Sequence, residues 1–135
     1  QGEGGIRSLV RSRGRGGVYK RQPLGRDDYP TVAGPADPGA DLNIAVTHAP
    51  YLRLLDAMTA DGMDLIFAGH THGGQVCLPG GIPVLIDTAT PRAFARGAWR
   101  YHTMAGYTSV GCGASVVDVR LNCLPELTLH RLQRA

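Results

Sequence analysis

An α/β fold is predicted for this chain of 135 residues, and three observations predict it. Two short apolar runs, 42–47 and 64–68, are rich in branched and aliphatic side chains and read as buried strands. Between them Leu52, Leu55 and Met58 stand at helical spacing, with Leu54 beside them. After residue 73, glycine and proline cut the chain into short extended pieces with no long helical period. Hydrophobic residues are 43% and charged residues 19%, the balance of a globular chain with a modest core. No apolar run approaches the roughly 20 residues of a membrane-spanning helix.

Residues 1–22 have a Gly/Arg/Ser bias and no hydrophobic period. They carry Arg7, Arg11, Arg13, Arg15, Lys20 and Arg21 against Glu3 alone, a net +5. The whole chain is +3, so residues 23–135 are −2, with eight basic against ten acidic residues. Any affinity for nucleic acid therefore rests on the first segment. That segment reads as a disordered basic tail or as a sequencing-adapter artefact. The second reading comes from Val18-Tyr19-Lys20-Arg21-Gln22, which resembles the translation of a transposon-end adapter. Residues 23–135 are the folded part, and 23–41, rich in Pro, Gly and Asp, form a surface connection.

The first strand ends at His48. Pro50 suits the first turn of a helix, where its missing N–H is no loss. The helix is expected over 51–61, with Gly62 as its terminator. The second strand, 64–68, runs into Gly69-His70-Thr71-His72. A strand–helix–strand crossover makes its two strands parallel, so both C-terminal ends lie on one sheet edge. His48 and His70 each follow such an end. Neighbouring strands are about 4.8 Å apart, which brings the two imidazoles side by side.

Gly73-Gly74 permits a sharp turn with positive φ. Residues 75–78 read as a short extended piece, stopped by Pro79-Gly80-Gly81. In 82–86, Pro83 allows only an edge strand or an ordered loop. Residues 91–97 are expected to hold one or two helical turns, and 107–110 a strand. The alternation of Glu126, Leu127, Thr128, Leu129, His130 predicts a terminal strand over 126–132. The three cysteines, Cys77, Cys112 and Cys123, form no C-x-x-C pair. Each reads as a small buried hydrophobe in a reducing compartment.

Imidazole is a common ligand for transition metals, and three histidines converging on one edge can hold metal. A lone histidine is ordinarily just a satisfied polar side chain. His70 and His72, flanked by glycines and met by His48 across the predicted sheet, form a more specific pattern. In a loop the pair can splay to two adjacent ions, the arrangement that clamps a phosphoryl group. His102 and His130 lack such a context and read as surface residues.

Gly69-His70-Thr71-His72-Gly73-Gly74-Gln75, preceded by Val46-Thr47-His48-Ala49-Pro50, closely resembles the C-terminal half of calcineurin-like metallophosphoesterases. The resemblance runs from about Asp27 to Leu132 and is nearest to an actinobacterial branch of predicted phosphodiesterases. It implies a β-sandwich flanked by helices, two divalent ions (manganese, iron or zinc) and a phosphoester substrate. His48 and His70 would ligate one metal and His72 the other. No residue of this chain takes a catalytic role by that resemblance.

The family's first three motifs, Asp-x-His, Gly-Asp and Gly-Asn-His, are missing from the sequence. They supply the bridging carboxylate, an asparagine and a catalytic histidine. The expectation is therefore an incomplete sandwich, the C-terminal half of a phosphodiesterase or phosphatase, inactive alone. The competing expectation is a non-catalytic binding module whose basic tail contacts nucleic acid or anionic membrane. It loses its basis if residues 1–22 are an artefact, so no nucleic-acid partner is expected. The sequence sets no location; a cytoplasmic or membrane-associated full-length protein is the expectation.

Overall fold

The computed structural model describes Tyr29 and residues 34–86 and 89–133. The basic segment 1–22 lies outside the described residues. The elements are β1 (Ile44–Val46), α1 (Leu52–Ala60), β2 (Leu65–Ala68), β3 (Cys77–Leu78), β4 (Ile82–Pro83), β5 (Gly97–Tyr101) and β6 (Met104–Thr108). Single 3-10 turns lie at His72–Gly74 and Arg92–Phe94. The fold is mixed α/β, as expected. A four-stranded sheet has the order β1-β2-β6-β5, and β3 with β4 forms a separate antiparallel pair.

The predicted crossover is present. β1 and β2 are parallel, with Ala45 opposite Ile66. Asn43 fixes the start of this pair: its carbonyl accepts from the Asp64 and Leu65 amides, and its own N–H reaches the Asp64 carboxylate at 2.8 Å. The helix α1 ends in a Schellman motif, with Gly62 N–H to the Thr59 carbonyl and Met63 N–H to the Met58 carbonyl, both 3.0 Å. Gly62 supplies the left-handed φ of 85° that this motif requires. Pro50 sits one residue before the cap Tyr51, outside the first turn where it was expected. The helix buries Leu54, Leu55 and Met58, whereas Leu52 is 40% exposed. The buried apolar stripe therefore begins at Leu54, two residues later than its spacing implied.

On the sheet, Ala45, Ile66 and Met104 meet Leu55, Met58 and Met63 in one core, and Tyr29, Phe94, Trp99 and Tyr101 close over it. Burying these side chains at about 25 cal/mol per Å² is the main force holding α1 on the sheet.

Two expectations for the C-terminal half need correction. The strand expected at 107–110 is β6, which starts at Met104 and ends at Thr108. It pairs with β5, a strand in a stretch whose sequence favours no state, through a hairpin turned at His102 with φ 50°. Tertiary packing decides there: Trp99 lies over Gly106, where a Cβ would overlap its ring. Residues 126–132 are not a strand. Their alternation has no neighbouring ladder among the described residues, and Leu127 and Leu129 are 91% and 95% exposed. A strand exists by its pairing, and alternation alone does not supply a partner. His130 is exposed, but its ring packs against Phe67 and Tyr107 at 4.5 and 4.6 Å.

Candidate metal centre

The parallel ladder continues past both strands. Thr47 N–H reaches the Phe67 carbonyl at 2.9 Å and Gly69 N–H the His48 carbonyl at 3.1 Å. This register carries His48 and His70 to the same edge. His48 Nε2 lies 2.8 Å from His70 Nδ1, and the ring centroids are 4.5 Å apart. The predicted side-by-side placement is thus present as a direct contact.

His72 stands one turn further on. Its Nδ1 is buried and has no hydrogen-bond partner. An unsatisfied buried ring nitrogen is uncommon, because desolvating it without a partner costs about 1–3 kcal/mol. His72 is also close enough to His48 to act on its charge. Burial, and then the His72 ring, lower the His48 pKa from its ordinary 6.5. The neutral imidazole is favoured, and that is the form that binds a metal.

The loop is held in an unusual backbone. His70, His72 and Gln75 have φ of 70°, 48° and 56°, and Gly73 and Gly74 have 63° and 81°. Such a run of left-handed residues persists only when its surroundings fix it. Several contacts do so. Thr71 Oγ1 donates to the Ala95 carbonyl at 2.6 Å and accepts from Gly73 N–H at 3.2 Å. The Gln75 amide donates to the Val117 carbonyl and accepts from Ser115 N–H, each at 2.6 Å. The Cys77 and Cys123 thiols donate to the Gly73 and His72 carbonyls, each at 3.3 Å. Across the loop, the Arg120 guanidinium binds the carbonyls of Val110, Gly111, Gly113 and Cys123.

Thr71, Gln75 and Arg120 are the residues that sequence reasoning missed. A glutamine directly after a glycine pair is the one local signal, and it names no partner. Cys77 and Cys123 are buried as expected, whereas Cys112 is exposed.

The donor set fits part of a metal site. Two imidazole nitrogens at 2.8 Å suit adjacent positions on one ion, whereas the buried, unpartnered His72 Nδ1 is not grouped with them. Among the described residues, no group of three or more His, Cys, Asp or Glu side chains is arranged to hold an ion. The arrangement provides imidazoles and no carboxylate.

Over 101 residues the chain is 30% identical to "Phosphodiesterase YaeI" of Escherichia coli (strain K12), a match covering 70% of this chain and 35% of that protein. Over 91 residues it is 29% identical to "Uncharacterized metallophosphoesterase YkoQ" of Bacillus subtilis (strain 168), covering 67% of this chain and 33% of that protein. The chain spans about a third of the length of these curated relatives. They are distant homologues and support a metallophosphoesterase relationship, without distinguishing an actinobacterial branch. No protein-family model matches the chain, and no solved structure matches it.

Proposed function

We propose that this chain supplies the imidazole side of a two-metal site that hydrolyses phosphoesters, most simply phosphodiesters. The observation that carries the proposal is the His48–His70 contact of 2.8 Å at the C-terminal edge of parallel strands, with the His72 Nδ1 unpartnered beside it. The names of the two homologues support the reaction class. His48 and His70 would hold one divalent ion and His72 the other. When bound, such ions would polarise a phosphoryl group and neutralise its developing charge.

The chain's own residues do the rest. Burial and then the His72 ring lower the His48 pKa, which favours the neutral imidazole that a metal binds. Thr71 and Gln75 fix the turn that presents His72, and Arg120 ties the carbonyls of Val110, Gly111 and Gly113 to that of Cys123, whose thiol holds the His72 carbonyl. Residues 23–135 are then one part of a metallophosphoesterase domain, and the four-stranded sheet is one layer of its sandwich. With no bridging carboxylate among its ligands, the chain alone does not turn over substrate.

Calorimetric titration with Mn²⁺ tests this directly. Binding is expected for the chain as it stands and is expected to be lost in His48→Ala and in His70→Ala. No turnover of an aryl phosphodiester is expected from the chain alone. Full binding in both variants would overturn the ligand assignment. Metal-dependent turnover by the chain alone would overturn the need for outside carboxylates.

A further inference from the structure

We propose that Cys77 and Cys123 form an oxidisable dithiol beneath the His72 turn, which a hydroperoxide converts to a disulfide that loosens the imidazole site. The effect on the site rests on the function proposed above; the disulfide itself does not.

Both residues are free thiols, each 2% exposed. They belong to stretches that run alongside one another. Cys77 N–H reaches the Leu121 carbonyl at 2.8 Å, and Asn122 Nδ2 donates to the Cys77 carbonyl at 3.0 Å. The two sulfurs converge on a single acceptor. Cys77 Sγ lies 3.3 Å and Cys123 Sγ 3.8 Å from the Gly73 carbonyl oxygen, and burial, then the neighbouring Cys123 thiol, raise the Cys77 pKa. With Val110 they form a small buried cluster of their own. The two stretches are already paired at Val76 and Leu121, which sets both sulfurs against the Gly73 carbonyl.

The chemistry balances with hydrogen peroxide as the oxidant. One S–S bond forms, while two S–H bonds and the O–O bond break. The sulfurs give up two electrons, and the peroxide leaves as two waters. The oxidant is nearly water-sized and reaches the pair by local opening of the turn.

Oxidation removes both S–H donors. The buried carbonyls of His72 and Gly73 then lose the thiol hydrogen bonds at 3.3 Å. These contacts help hold His72 at its φ of 48°, so its ring shifts relative to His48.

The exposed Cys112 reacts independently, so the test uses Cys112→Ser protein. The folded protein is treated with hydrogen peroxide, alkylated, digested and mapped by mass spectrometry. The expected product joins the Cys77 peptide to the Cys123 peptide, lacks two hydrogens, and reverses with dithiothreitol. Separately alkylated thiols, or a link formed only after unfolding in guanidinium, would overturn the proposal.

Titration with Mn²⁺ then reads the consequence. The oxidised protein is expected to bind about tenfold more weakly or worse, the usual loss when a group supporting a ligand is removed. Dithiothreitol restores the affinity, and Cys77→Ser in the same background does not respond to peroxide. Equal affinity in both redox states overturns the coupling. Absence of Mn²⁺ binding in the reduced protein overturns the metal reading and leaves the disulfide result standing.

Discussion

Gly73 and Gly74 show how little freedom the histidine turn has. A Cβ on Gly73 would stand 2.6 Å from Val110 Cγ1 and 2.9 Å from Cys123 Sγ. One on Gly74 would overlap Pro83, and both residues have φ values that side chains rarely adopt. Gly73→Ala therefore combines about 1 kcal/mol of backbone strain with overpacking of about 1–3 kcal/mol. It is expected to lower the stability of the chain by about 2–4 kcal/mol in urea denaturation and to weaken Mn²⁺ binding. A stability within error of wild type would mean that the turn is not wedged as described. Arg120 makes a second case. Its fork serves four carbonyls, and a lysine can serve fewer from a single point. Arg120→Lys is expected to cost about 1–3 kcal/mol by the same measurement. The site was only partly legible at this scale. The His48–His70 contact could be read in the sequence because strand topology alone brings both residues to one sheet edge. Gln75 could not, because its partners Ser115 and Val117 come from a loop whose path no local rule predicts.

The strand–helix–strand unit was legible because its pieces are local: an apolar run, a helical stripe, a terminating glycine and a second run. The β5–β6 hairpin was not, because neither strand alternates cleanly and its turn uses His102 in place of glycine or asparagine. What defines the hairpin is a cross-strand fit. Trp99 lies opposite Gly106 and donates from its indole to Thr108 Oγ1 at 2.9 Å. Thr108 Oγ1 in turn donates to the Phe94 carbonyl at 2.7 Å. Gly106→Ala would push the indole out of this arrangement. Trp99 is the single tryptophan of the chain, so its fluorescence reports the hairpin cleanly. The expected outcome is a red-shifted emission and a loss of about 1–3 kcal/mol in stability, the usual range for overpacking. An unchanged emission maximum would show that the ring does not depend on the missing side chain.

At the scale of the whole molecule, the C-terminal segment meets the sheet through side chains and is tied to the loop after β6 by a backbone bond from Glu126 N–H to the Gly111 carbonyl at 3.0 Å. Tyr107 on β6 donates its hydroxyl to the Glu126 carboxylate, and Thr128 Oγ1 donates to the same oxygen at 2.5 Å. The segment also helps line an open cavity of about 360 Å³ with Phe67, Tyr107 and His130. Hydrogen bonds from Thr128 and then Tyr107 hold Glu126 below its ordinary pKa of 4.5. The carboxylate is favoured in the fold, so the unfolded chain takes up its proton first on acidification. The tether's contribution is therefore complete above pH 4.5 and is lost as the pH falls through the lower folded value. Removal of the carboxylate should remove this acid step. Glu126→Gln keeps the shape, offers the hydroxyls an amide oxygen and does not titrate in this range. Denaturation measured from pH 7 down to pH 3 should show wild type losing more stability than Glu126→Gln below pH 4.5. Parallel curves for the two proteins would mean that the segment is held by its backbone bond to Gly111 and its apolar contacts. Among the described residues those contacts are few, with Leu127 and Leu129 almost fully exposed.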